Sequence, residues 1–233
     1  MDDEFWCPNT LIDTWRRILG KGIINDQTLK YRYAFVSNIG YSLQYLEYLD
    51  NQLSTLSHHS TILTHIQKSF VVTGMSIVES IVWYVLKKNG FQKTEEWDLV
   101  SEQKTNTFEI SDENHRIKNI LEKKLESPKD VEASLMWMIK KVEKKKLIGI
   151  DGQVYKDLNY LRNLRNKVHI HVVQHDADTD WNAFSVKELK LMKKALYGVL
   201  TSEFFNLDED YRSRYDFLRV SEDIEELFGE NMS

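Results

Sequence analysis

Residues 70–86 read FVVTGMSIVESIVWYVL, an apolar run whose single charge is Glu79. It is shorter than the roughly 20 residues that a membrane span requires, and the acid sits near its centre. It therefore reads as a buried core helix. On its N-terminal side Ile62 and Ile66 continue the spacing into Phe70, Ile77, Ile81 and Val85, which predicts one long helix from about Thr61 to Lys88. Asn89-Gly90 is a suitable stop. A break at Ser57-His58-His59-Ser60 separates it from an earlier pattern, in which Tyr31, Phe35, Ile39, Leu43, Leu46, Leu49 and Leu53 recur every three or four residues. That predicts a second long helix starting near Thr28.

The rest of the chain is read against this pair. Leu11–Leu19, with Trp15, is expected to be a short helix ending at Gly20-Lys21-Gly22. From Phe91 to Ile110 the periodicity fails, and WDLV (97–100) with NTFEI (106–110) suggests a short hairpin or extended excursion around 95–110. A third helix is expected from Ser111 or Asp112 to about Ser127. Pro128 and Asp130 then open a fourth, over VEASLMWMIKKVEKKKLIG (131–149). A fifth runs from Gln153 to about His169, and a sixth from Val186 to Phe205 with Leu189, Met192, Leu196, Val199 and Leu200 facing inward. The tail from Asp210 to Phe228 suits a short amphipathic helix. Two prolines and nine glycines in 233 residues are few helix breakers. The expectation is an all-α antiparallel bundle of five to six helices, with an N-terminal extension (1–27), a helical domain (28–206) and an acidic tail (207–233).

Composition narrows the function. The single cysteine, Cys7, excludes an intrachain disulfide and a cysteine zinc cage. The opening Met1-Asp2-Asp3-Glu4 carries no signal peptide, which points to a reducing cytoplasm. The net charge of −5 argues against a global attraction to nucleic acid. Its distribution matters, however: residues 207–233 hold nine acids against three arginines, and the other 206 residues hold 28 basic and 27 acidic side chains. Contact with RNA would rest on a local patch.

Such a patch stands at YLRNLRNKVHIHVVQHD, Tyr160 to Asp176. On a wheel of about 100° per residue, Arg162, Asn166 and His169 share one stripe, and Arg165 borders the apolar side formed by Val154, Leu158, Leu161, Leu164 and Val168. His171 would fall on the opposite side and is expected beyond the helix end, where HIHVV turns β-branched. The plainest reading is a polar helix end, since basic residues complement the helix dipole there and Asn is a common terminator.

An arginine followed by a polar residue, with a histidine a few positions later on a late helix, resembles the motif of the HEPN superfamily. Its active members are metal-independent ribonucleases of all-α fold, and their motif places four to six residues between the arginine and the histidine. Here six residues separate Arg162 from His169 and five separate Arg165 from His171, while only three separate Arg165 from His169. Two registers fit, so either arginine is a candidate. The resemblance implies catalytic roles among Arg162, Arg165, Asn166, His169 and His171, with Glu79 and Asn163 as supporting residues. It implies RNA as substrate and no cofactor or metal. It also implies a homodimer joining two motif helices, and a toxin or phage-defence role with an antitoxin or other regulatory protein as partner.

The residue types fit that chemistry. RNA supplies its own nucleophile, the 2′-hydroxyl; histidine titrates near neutrality and can act as base or acid. Arginine stays charged and grips phosphate in a fork. One well-placed histidine per chain falls short of two proton transfers, and a dimer supplies the second. The rival reading is a non-catalytic scaffold or partner-binding module of the same family. A weaker alternative sets His169 and His171 on one side of a strand, with His175 or Asp176 completing a metal site. Lys140 to Lys146 is read as a solvated helix end, and Tyr31, Tyr41, Tyr45 and Tyr48 as core or dimer surface.

Overall fold

The computed structural model describes residues 10–169, 171 and 173–220. The chain divides into two units: one made by the residues up to Asn89 together with those from Leu135 onward, and one formed by Gly90–Ser134. The first is helical. Its elements are α1 (Ile12–Ile18), continued by a π-helical turn over Leu19–Ile23, α2 (Arg32–Thr55), and α3 (Ser60–Lys88). Beyond the second unit come α4 (Leu135–Lys145), α5 (Gly152–Arg165), α6 (Asp180–Ala183), α7 (Val186–Leu200) and α8 (Glu209–Ser213).

The apolar run at 70–86 lies inside α3, and its neighbours explain why it is apolar on several sides. α3 packs against α2, α4, α5 and α7, so Phe70, Met75, Val78, Ile81 and Val85 all leave water. Among the described residues α3 is the one helix long and apolar enough to cross a membrane, and most of that apolar window is buried within the structure. Gly74 sets its approach to α7: a Cβ there would lie 2.9 Å from Met192 Cγ and Sδ. α7 turns Leu189, Met192, Leu196, Val199 and Leu200 inward. It starts on a capping box in which Ser185 and Glu188 satisfy each other's backbone N–H groups.

α2 begins four residues later than its periodicity suggests. Asp26 accepts bonds from Thr28 N–H and Thr28 Oγ1 at 2.8 and 2.7 Å, a turn that competes with helix, and Tyr31 then takes a left-handed φ of 57°. Segments outside residues 28–206 line the same core. Trp15 is fully buried against Tyr215, ring centroids 5.4 Å apart. Arg32 ties the π-helical turn to α2 by donating to the carbonyls of Ile24 and Gly20. Thr10 donates from N–H and Oγ1 to the buried Glu47 carboxyl; desolvation outweighs these bonds and holds that carboxyl above its ordinary pKa. The expected tail helix is realised as α8 and a 3₁₀ turn over Asp216–Leu218; its remainder, 221–228, lies outside the described residues.

The second unit overturns the all-α expectation. Residues 111–127 carry no helix. Instead β1 (Thr94–Lys104) pairs antiparallel with β4 (Lys118–Asp130) in a long two-stranded ribbon, and β2 (Phe108–Ile110) pairs with β3 (Glu113–His115). The fold is mixed, helical bundle plus β-ribbon. WDLV and NTFEI are extended as expected, yet they pair with other partners. Ser111 and Asp112 both have positive φ, 53° and 64°, as a two-residue hairpin turn demands, so the position read as a helix start is a chain reversal. Ile117, Ile120, Leu121 and Leu125 mimic a helical stripe, but pairing with β1 takes up the backbone bonds and overrides that weak preference. Glu102–Lys118 (2.8 Å) and Asp98–Lys129 (2.5 Å) ion pairs cross the ribbon. Strand continues through Pro128 to Asp130, and the fourth helix begins only at Leu135.

Candidate functional site

α5 starts where Asp151 accepts the Gln153 N–H at 2.6 Å and buries Tyr155, Leu158, Leu161 and Leu164. This orientation brings Arg165 to α3, where its Nη2 donates to Glu79 Oε2 at 2.7 Å. Both side chains are about one-third exposed, 34% and 30%. The charge inside the apolar run thus has a specific partner 86 residues away. No other bond engages the Arg165 guanidinium among the described residues, which leaves its remaining N–H groups for an anion.

Arg162 is arranged differently. Its Nη2 donates to the Oδ1 of its neighbour Asn163 at 2.8 Å, and its Nε is buried without a partner. Glu79 bonds Arg165 and not Arg162. Asn163 is exposed, as is Asn166, the residue that ends α5.

The helix stops at Arg165. A 3₁₀ turn covers Asn166–Val168, the His169 N–H reaches the Asn166 carbonyl at 3.4 Å, and His169 itself is extended, φ −84° and ψ 96°. That early end corrects the wheel. His171 lies beyond the helix end, as expected, but its ring is not apart from that of His169: the two centroids are 6.1 Å apart. Both rings are exposed.

Side chains without any local signature in the sequence anchor the segment that follows. Lys167 pairs with Asp178, which also accepts the Gln174 N–H at 3.3 Å. Lys68 of α3 donates to both carboxylate oxygens of Asp180, at 2.9 and 2.8 Å. Thr179 could have been found, since it caps α6 by accepting the Asn182 N–H. The two aspartates tie the far end of the histidine segment to the 3₁₀ turn that follows α5 and to α3.

Among the described residues no three His, Cys, Asp or Glu side chains gather as metal ligands, so nothing joins His169 and His171 in the arrangement that the metal alternative requires. Residues Leu135 to Asn206 carry thirteen Lys and Arg against eight Asp and Glu, a local charge of +5 within a chain of −5. Lys140, Lys144 and Lys146 are exposed, and so are Tyr31, Tyr41 and Tyr45. Comparison with protein-family models, curated proteins and solved structures yields no match. The geometry and the charge carry the functional reading.

Proposed function

We propose that the protein is a metal-independent endoribonuclease acting in the cytoplasm, with Arg165, His169 and His171 as its reacting groups. The observation that carries this reading is the pair of exposed imidazoles, 6.1 Å apart, following directly on an arginine held by Glu79. One imidazole takes the proton of the 2′-hydroxyl, whose oxygen attacks the adjacent phosphorus. The P–O5′ bond breaks, and the second imidazole returns a proton to the departing oxygen. Arg165 stabilises the charge gathered on the non-bridging oxygens. The +5 charge of residues 135–206 draws the phosphate backbone towards this part of the chain. Similarity to the HEPN motif supports the reading and suggests a toxin or phage-defence effector, regulated by an antitoxin or another protein.

Because one chain carries two neighbouring imidazoles, the count of proton-transfer groups no longer calls for a second copy. A homodimer joining two motif helices stays compatible with the chemistry without being required by it.

The test is product chemistry. RNA is cut and leaves a 2′,3′-cyclic phosphate and a 5′-hydroxyl, DNA of the same sequence survives, and a chelator leaves the rate unchanged. Loss of cleavage in chelator would transfer the histidines to a metal. A panel of RNAs left wholly intact, by the chain alone and with cell extract, would favour the scaffold reading.

Glu79 gives a second expected result. Glu79→Gln keeps a hydrogen bond to Arg165 but removes the charge that fixes the guanidinium, so the turnover number falls by about 10- to 100-fold. KM changes less, and the melting temperature changes little, since a pair one-third exposed to water adds little stability. A rate equal to the parent's would show that Arg165 needs no such anchor.

A further inference from the structure

Both ends of the histidine segment are fastened to one helix. Arg165 bonds Glu79 and Asp180 bonds Lys68, two α3 residues eleven positions apart, or about 16 Å along the axis. From Arg165 to Asp180 the chain runs for fifteen residue steps, which reach roughly 50 Å when extended. The end anchors therefore leave about threefold more chain than the gap needs. By themselves they do not fix where His169 and His171 stand.

One contact inside the segment takes up that slack. Lys167, in the 3₁₀ turn, pairs with Asp178, and the two bracket both histidines. The side chains are only 27% and 14% exposed, so solvent screens this pair weakly. The other Asp178 oxygen accepts the Gln174 N–H at 3.3 Å, and the Asp178 N–H donates to the His175 carbonyl at 2.9 Å. Just before it, the Ala177 carbonyl accepts from Asn182 Nδ2 of α6 at 2.8 Å. Lys167 is the lysine nearest in sequence to the histidines, yet its charge is directed to a carboxylate.

We propose that Lys167 and Asp178 are positioning residues: their ion pair closes the slack segment into a loop that holds the two imidazoles side by side, directly after Arg165. Their part in cleavage rests on the ribonuclease reading, whereas the loop closure does not. The rival assignment makes Lys167 a phosphate ligand and Asp178 an incidental neighbour. Exchanging the two charges separates these roles. A swapped pair still closes the loop, but it puts a carboxylate where RNA would otherwise meet the lysine.

The test compares the full-length chain with Lys167→Asp, Asp178→Lys and the double exchange, by deuterium uptake over residues 166–178 and by RNA cleavage. In each single variant that segment exchanges about 10-fold faster or more, while α3 and α7 exchange as in the parent and so report an intact bundle. In the same variants kcat falls by about 10- to 100-fold, with KM within about threefold of the parent's. The double exchange returns uptake and kcat to within about fivefold of the parent. Unchanged uptake in the single variants overturns the proposal, because the pair then holds nothing. A double exchange as impaired as the single variants overturns it too, and a KM raised in that variant gives Lys167 to phosphate. Faster uptake with an unaltered kcat confines the pair to structure and overturns the positioning role. A wild-type chain that cuts no RNA defeats the ribonuclease reading instead, and the uptake comparison still decides whether the pair closes the loop.

Discussion

His169→Ala lowers the rate of RNA cleavage by about 10²- to 10⁴-fold, the usual worth of a positioned proton-transfer group. The melting temperature stays close to the parent's, because the ring is exposed. His171→Ala causes a loss of the same order, since its ring neighbours that of His169. The double variant falls little below the weaker single one, because an acid and a base acting in one step fail together. If His171→Ala keeps the full rate while His169→Ala does not, the second proton comes from elsewhere, and the His169 of a second copy becomes the natural donor. A loss of rate that tracks a loss of melting temperature would assign these residues to structure rather than chemistry.

Trp15→Ala destabilises the helical unit by about 3–5 kcal/mol, the range for truncating a buried aromatic. At about 2–4 °C per kcal/mol for a chain of this size, the melting temperature drops on the order of 10 °C, read by circular dichroism at the helix band. Trp15 is fully buried; Tyr215 packs on one side, and Phe217 meets it edge-on with centroids 6.3 Å apart. Removing the indole therefore opens a cavity between segments some 200 residues apart in sequence and loosens both ends of the described chain. A drop of only a degree or two would mean that α1 and the residues around Tyr215 sit outside the cooperative core.

The helical unit was legible because its signals are local. Apolar residues at spacings of three and four identify α2, α3 and α7, and Asn89-Gly90 marks an end that backbone bonding must satisfy. Residues 111–127 show where that logic fails. Their leucines, lysines and glutamates suit a helix as well as a strand, and the choice fell to β1, whose Trp97, Leu99 and Glu102 stand opposite Lys124, Glu122 and Ile120. Strand pairing is a bond to distant chain, so no window of neighbouring residues contains it.

The site divides along the same line. Sequence by itself singled out Arg162, Arg165, His169 and His171, and it marked Glu79 as an acid in need of a partner, because a charge in an apolar helix is costly alone. Only the tertiary structure chose Arg165 over Arg162 as that partner, by the rotation of α5 against α3. It also set the His171 ring beside that of His169, because α5 ends at Arg165 and His169 itself is already extended. Helical periodicity is set by hydrogen bonds four residues long. Where a helix stops, and which of two arginines meets a carboxylate 86 residues away, depends on packing that no short stretch of sequence encodes.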